Sequence, residues 1–225
     1  MKKKYSILII DDHPLIVEAY RNALKVIESG SDQYSFGVDS SSNCADAISK
    51  IEFASVGMGY DLIILDIKLP PSEDLKILSG EDLGLKINDM LPDCKIIVST
   101  TFNDNFRANN ILMNLNPDGY LVKNDINPQD LIYAIKSVIA DVPYYSKTII
   151  RLLKTRVSNV ITLDKIDRQL LYSLSLGTKM KDMPCEIPLS MAAIEKRKRV
   201  LKDIFEVETK ADKDLISAAK EKGFI

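Results

Sequence analysis

Cysteine and histidine are scarce in this chain of 225 residues, which has three of the former, Cys44, Cys94 and Cys185, and one of the latter, His13. The cysteines lie far apart with no paired spacing, so neither a disulfide framework nor a zinc site is indicated. Cys44 and Cys94 read as packing residues. A lone histidine behind two aspartates reads as a helix-start residue, not as a metal ligand or general base. Long apolar runs are missing as well. Charges interrupt every candidate before the roughly 20 residues that a membrane span needs. The basic start Met1-Lys2-Lys3-Lys4 leads into only six residues before Asp11, too few for a secretion signal. A cytoplasmic protein without membrane contact is expected.

The composition that remains, 46% apolar and 28% charged, suits a soluble globular protein, and the length allows two domains of ordinary size. The net charge of −2 hides an asymmetry. From Thr162 onward 13 Lys and Arg face 11 Asp and Glu, leaving 17 against 21 of the totals of 30 and 32. The positive charge gathers in Lys196-Arg197-Lys198-Arg199. An acidic front and a locally basic back suggest two separate jobs.

Leu62-Ile63-Ile64-Leu65 is a short continuous apolar run, the pattern of a strand buried on both faces of a parallel sheet. Asp66 follows at its carboxyl end. Ile7-Leu8-Ile9-Ile10 repeats the pattern and ends in Asp11-Asp12-His13-Pro14, where Pro14 suits the first turn of a helix. Further strands are expected at 34–38, 95–100 and 119–123. Helical spacing between them predicts helices that include 44–53, 82–90, 105–114 and one opened by Asn127-Pro128. Five alternations of strand and helix predict a doubly wound, five-stranded parallel sheet. Its carboxyl edge would gather Asp11, Asp12, Asp66, Thr100 and Lys123. Three carboxylates crowded there repel unless a cation joins them, and oxygen ligands suit a hard divalent ion, most simply Mg²⁺. Taken singly, Asp66 could open a turn and Asp11-Asp12 could cap a helix. Five groups at strand ends favour phosphoryl chemistry.

Ile9-Ile10-Asp11-Asp12-His13, Leu65-Asp66-Ile67-Lys68-Leu69-Pro70, Val98-Ser99-Thr100-Thr101-Phe102 and Gly119-Tyr120-Leu121-Val122-Lys123 together resemble the CheY-like receiver domain of two-component response regulators. The resemblance implies Asp66 as phospho-acceptor. It also implies Mg²⁺ held by Asp11, Asp12, Asp66 and the backbone carbonyl of Lys68. Thr100 and Lys123 would bind the phosphoryl group, and Tyr120 would be the aromatic switch residue or else a core aromatic. One departure is the loop from Pro70 to Gly80, about six residues longer than the family's Pro-x-x-x-Gly turn. An aspartate-nucleophile phosphatase would want an acid where Lys68 stands, so an enzyme is not expected.

Asp141-Val142-Pro143 breaks the last receiver helix, and the stretch 141–161 is neither Gly/Ser-rich nor Pro-rich, so a loose tether is not indicated. A short helix is expected there at 148–156. Beyond it the pattern is all-helical. Asp164 opens one helix, Ser190 can cap another that runs to about Phe205, and a last one spans 212–221. On the middle helix Ile194, Leu201, Ile204 and Phe205 share one face, and Glu195, Lys196 and Arg199 project opposite, with Lys198 and Lys202 on the flank. An apolar back and a basic front fit a DNA major groove, although an ordinary solvated face has the same pattern. Residues from Leu163 to Ile225 resemble the helix-turn-helix output domain of LuxR/FixJ-type (NarL-like) regulators, with Ser190, Leu201, Val207 and Lys210 in place. Pro184 and Glu195 depart from that pattern; a mid-helix proline would cost about 3 kcal/mol.

The expectation is therefore a receiver over 1–140, a linker over 141–161 and a helix-turn-helix DNA-binding domain over 162–225. A sensor histidine kinase would phosphorylate Asp66, favouring a homodimer that binds double-stranded DNA and regulates transcription. The alternative is a phospho-switched module whose helical domain binds a protein.

Overall fold

A computed structural model describes residues 2–72, 77–101, 105–154, 163–207, 209 and 211–225. Phe102, Lys210, the middle of the long loop after Pro70 and the end of the expected linker lie outside the described residues. The chain divides into two compact units, Met1–Asn103 with Leu115–Arg156, and Asp104–Asn114 with Val157–Ile225.

The first unit is built on a parallel sheet. Its strands are β1 (Lys3–Ile10), β2 (Tyr34–Ser41), β3 (Leu62–Asp66), β4 (Lys95–Thr100), β5 (Gly119–Val122) and β6 (Tyr144–Tyr145), in the order β2-β1-β3-β4-β5-β6. Helices α1 (Pro14–Ser29), α2 (Cys44–Ser55), α3 (Gly80–Met90), α5 (Pro128–Ile139) and α6 (Lys147–Lys154) belong to it. Every residue of β3 is buried, as its continuous apolar run requires. Register pairs Ile9 with Ile64 and Ile64 with Ile97, and these side chains meet Leu24 of α1 and Ile135 of α5 in one core. Each buried Ile or Leu contributes about 1.5–3 kcal/mol against exposure to water. Local chemistry sets the helix starts. Asn43 caps α2 by accepting from the Asp46 amide, and Asn127 with Asp130 forms a reciprocal capping box ahead of Pro128 in α5.

Among the described residues the sheet has six strands, not the five expected. Asp141, at a φ of 61°, turns the chain back after α5, and Pro143 commits it to an extended path. Tyr144 then donates its amide to the Asp118 carbonyl and Ser146 to the Tyr120 carbonyl, covering the edge that β5 would otherwise expose.

The second unit holds α4 (Asn105–Leu115) up to Asn114, α7 (Lys165–Ser175), α8 (Met191–Ile204) and α9 (Asp212–Glu221). Leu170, Leu171 and Leu174 of α7 pack with Ile194 and Leu201 of α8 and Leu215 of α9. Pro184 lies at the start of a 3₁₀ turn, Met183–Cys185, and not inside an α-helix. At such a start its missing N–H forfeits no helical bond, so the expected cost does not arise. Among the described residues after 162 the secondary structure is three α-helices and this turn.

Candidate functional site

The carboxyl ends of β1 and β3 lie side by side, because Ile10 pairs with Leu65. The next residue of β1's path is Asp11 and the last of β3 is Asp66; each is 2% exposed. Lys123, just beyond β5, places its ammonium between them, 2.7 Å from Asp11 Oδ2 and 2.8 Å from Asp66 Oδ2. The remaining oxygens are held by local turns. Asp11 Oδ1 accepts from the His13 amide and Asp66 Oδ1 from the Lys68 amide, each at 3.0 Å. The loop after Asp66 thus folds back on its own carboxylate.

Asp12 joins from the rim. One ligand atom each from Asp11, Asp12, His13 and Asp66 lie within 4.8 Å of one another. Two carboxylates at such a distance repel by about 3–4 kcal/mol at an effective dielectric of about 20. A single ammonium among three carboxylates leaves the cluster negative. Asp12 Oδ1 is buried without a hydrogen bond, although the His13 ring nitrogen stands 2.7 Å away. An oxygen-rich, electron-rich cluster with a buried oxygen that makes no hydrogen bond fits a hard divalent cation. His13 is both the residue preceding the first turn of α1 and a member of this cluster, a placement its role as a helix-start residue did not anticipate.

Thr100 and Tyr120 are fully buried. Strand alternation separates them from the carboxylates. Leu62, Ile64 and Ile97 enter the core beneath α1 and α5, so Asp66 and Ser99 face that side while Thr100, Val98 and Tyr120 face the other. Gly80 explains how α3 starts so close to the acidic edge. A Cβ there would stand 2.1 Å from the Asp66 carbonyl oxygen and 2.8 Å from Ile67 Cα.

One pair near this edge belongs to no motif of the sequence. The buried Tyr20 hydroxyl of α1 donates to the buried Ser99 hydroxyl of β4. The signal was available: Tyr20 falls at helical spacing from Ile16, Ala23 and Ile27, and Ser99 shares Asp66's face by alternation.

On α8, Glu195, Lys196 and Arg199 are exposed. Lys198 and Lys202 instead reach Asp212 at the start of α9, at 3.0 and 3.1 Å. Arg197 ties α8 to the capping box of α7, with Nη1 2.7 Å from both Asp164 and Asp167. Burial acts to raise Asp164, but the backbone amide of Asp167 and then the Arg197 guanidinium hold it below the usual carboxylate range. Burial prevails at Asp167 and raises it. Among the described residues no helix is long and apolar enough to cross a membrane.

The response regulator receiver domain model matches residues 7–136, more than half of the chain. A nitrate/nitrite response regulator protein homolog of Haemophilus influenzae is 29% identical over 204 residues, covering 87% of each chain. The oxygen regulatory protein NreC of Staphylococcus aureus is 30% identical over 140 residues, 59% of this chain and 54% of that protein. Among solved structures, RcsB of Salmonella enterica serovar Typhimurium bound to promoter rprA with the phosphomimetic BeF3⁻ shares the fold at a TM-score of 0.67. It is 19% identical, with 97% of this chain and 99% of that one covered. A second structure of the RcsB response regulator, from Salmonella typhimurium, matches at a TM-score of 0.58 and 19% identity over 98% of this chain and 99% of that one. With the acidic edge, the bridging lysine and the parallel sheet in register, the chain belongs to the response regulator receiver family.

Proposed function

We propose that the protein is the response regulator of a two-component system that takes a phosphoryl group on Asp66 from a sensor histidine kinase and regulates transcription by binding DNA. The observation that carries this reading is the Lys123 ammonium bridging Asp11 and Asp66 at two neighbouring strand ends. The receiver covers residues 1–140, the linker 141–161 and the DNA-binding domain 162–225, in a cytoplasmic protein that dimerises on phosphorylation.

Asp11, Asp12, Asp66 and the carbonyl of Lys68 are the residues that would hold Mg²⁺. When bound, the ion would supply positive charge against the phosphoryl oxygens. The chain's own residues do the rest. The Lys68 amide and the Lys123 ammonium fix the Asp66 carboxylate so that it meets the donor in one orientation. Lys123 then gives one of its bonds to the added oxygens, and Thr100, which faces the other side of the sheet at rest, turns to supply a hydroxyl to another. Tyr120, on Thr100's side of the sheet, changes its packing as Thr100 moves, which favours a second arrangement of the fold.

In the helical unit, Glu195, Lys196 and Arg199 face solvent and are the groove-reading residues. Lys198 and Lys202 contact phosphates on exchanging Asp212 for DNA. RcsB, which shares this fold, has been solved bound to promoter DNA, and that favours a DNA-binding reading of this unit.

Incubation with acetyl phosphate and Mg²⁺ tests the first step. Wild-type protein should acquire one hydroxylamine-labile phosphoryl group, and Asp66→Asn none. Equal labelling of the two proteins would remove Asp66 from its role.

A further inference from the structure

His13 serves the start of α1 through its backbone alone. That backbone is extended, with φ −101° and ψ 107°, and its amide donates to Asp11 Oδ1, but its side chain makes no capping hydrogen bond. The imidazole turns instead to the acidic edge. Its Nδ1 stands 3.4 Å from Asp11 Oδ1 and 2.7 Å from Asp12 Oδ1. At 2.7 Å a hydrogen bond is within reach, yet Asp12 Oδ1 makes none, so the nitrogen and the oxygen lie side by side without being aimed at each other. Two ligands of one ion, bound at right angles and at about 2.1 Å, stand about 3 Å apart. The two separations straddle that value. Asp66 completes the group, all of whose ligand atoms lie within 4.8 Å of one another. Ligands on opposite sides of such an ion are about 4.2 Å apart, so a small contraction closes the group on one ion.

We propose that His13 Nδ1 is a ligand at this site, and that through it the protein prefers a first-row transition-metal dication to Mg²⁺. This rests on the reading of Asp11, Asp12 and Asp66 as the residues that hold a metal. Mg²⁺ takes oxygen ligands and gives up its waters reluctantly, so it gains little from an imidazole. Imidazole nitrogen suits Fe²⁺, Ni²⁺ and Zn²⁺, and affinity for a mixed nitrogen and oxygen site rises from Mn²⁺ through Co²⁺ to Ni²⁺. The carboxylates supply the charge that attracts any dication, and His13 supplies the choice among them. Its side chain is 62% exposed, so the ring can swing onto the ion without disturbing the core. Pro14 fixes the first turn of α1 directly behind it, which keeps the swing short and over the carboxylates.

The test uses untagged, chelator-treated full-length protein, in which His13 is the only histidine. Bound Mn²⁺ is examined by electron spin-echo spectroscopy in protein carrying either ¹⁴N-histidine or ¹⁵N-histidine. Wild type should show modulation from a directly bound nitrogen that changes with the histidine isotope. That signal should vanish in His13→Asn, which keeps a residue suited to the helix start. By equilibrium dialysis, the variant should lose about tenfold or more in Co²⁺ affinity and less than twofold in Mg²⁺ affinity. The wild-type spectrum decides the matter by itself if the variant does not fold. Bound Mn²⁺ without a histidine nitrogen signal, or Co²⁺ affinity within twofold of wild type in folded His13→Asn, would overturn the ligand and leave the acidic site standing. Metal binding unchanged by Asp11→Asn and Asp12→Asn together would instead overturn the metal site, and His13 with it.

Discussion

At the residue scale, the candidate site depends on charges that need one another and on one position where nothing but hydrogen fits. Asp11 and Asp66 stay buried because Lys123 stands between them; removing one member of such a set leaves uncompensated charge. Gly80 is the steric counterpart. Its φ is not in the left-handed region, so backbone freedom is not its use; the requirement is space beside the Asp66 carbonyl. Gly80→Ala should push the start of α3 away from the Asp66 turn, lowering stability by about 2 kcal/mol or more and slowing phosphorylation by acetyl phosphate. Urea unfolding alongside the labelling rate checks this. Wild-type values for both would show that the α3 start yields without cost. The acidic residues and Lys123 were legible in the sequence, since each follows an apolar run. The Tyr20–Ser99 pair was less so, because two hydroxyls 79 residues apart share no motif.

At the element scale, helix α8 divides its basic residues between two tasks. Arg197 faces the capping box of α7, and Lys198 and Lys202 face Asp212 of α9. Burial disfavours the charged form of Asp212, but the two lysines outweigh it and lower its pKa. A carboxylate whose folded value lies below its unfolded one stabilises the fold above the ordinary value of about 4, and that stabilisation is lost as pH falls through the lowered value. Thermal unfolding of wild type and Asp212→Asn between about pH 3 and pH 6 should show a smaller acid-dependent fall for the variant. Parallel curves would mean that Asp212 contributes nothing through its charge. Element boundaries also show where local reading stops. Strand β6 has two residues, too few for any periodicity, and exists because β5 leaves an open edge beside it. Pro184 read as a break in a helix; the chain starts a short 3₁₀ turn there instead.

At the scale of the whole molecule, α4 lies in sequence between β4 and β5 but groups with the helical unit. Within that unit the buried Asn110 accepts the Leu163 amide on Oδ1 at 3.0 Å, and Arg107 donates to the Gly223 carbonyl. The concentration of positive charge in this half bears on the proposed DNA contact. Phosphorylated protein should bind fragments from its own genome more tightly than unphosphorylated protein. That affinity should fall at least about tenfold between roughly 50 and 200 mM salt. Arg199→Ala should weaken binding and reduce the salt slope by about one if it contacts a phosphate. Fluorescence anisotropy across a salt series measures both, and binding insensitive to salt would point away from phosphate contacts.

The order of the first five strands, their parallel sheet and the residues at its carboxyl edge follow from the sequence by itself, because apolar runs and their periodicity report which faces are buried. Asp11, Asp66 and Lys123 could be placed on one edge from that pattern alone. Tertiary structure decided that Lys123 touches both carboxylates, that His13 turns toward Asp12, that Lys198 and Lys202 pair with Asp212, and that α4 groups with the helices. Those outcomes depend on contacts between segments far apart in the chain, where packing and charge compensation choose among partners that local pattern leaves equivalent.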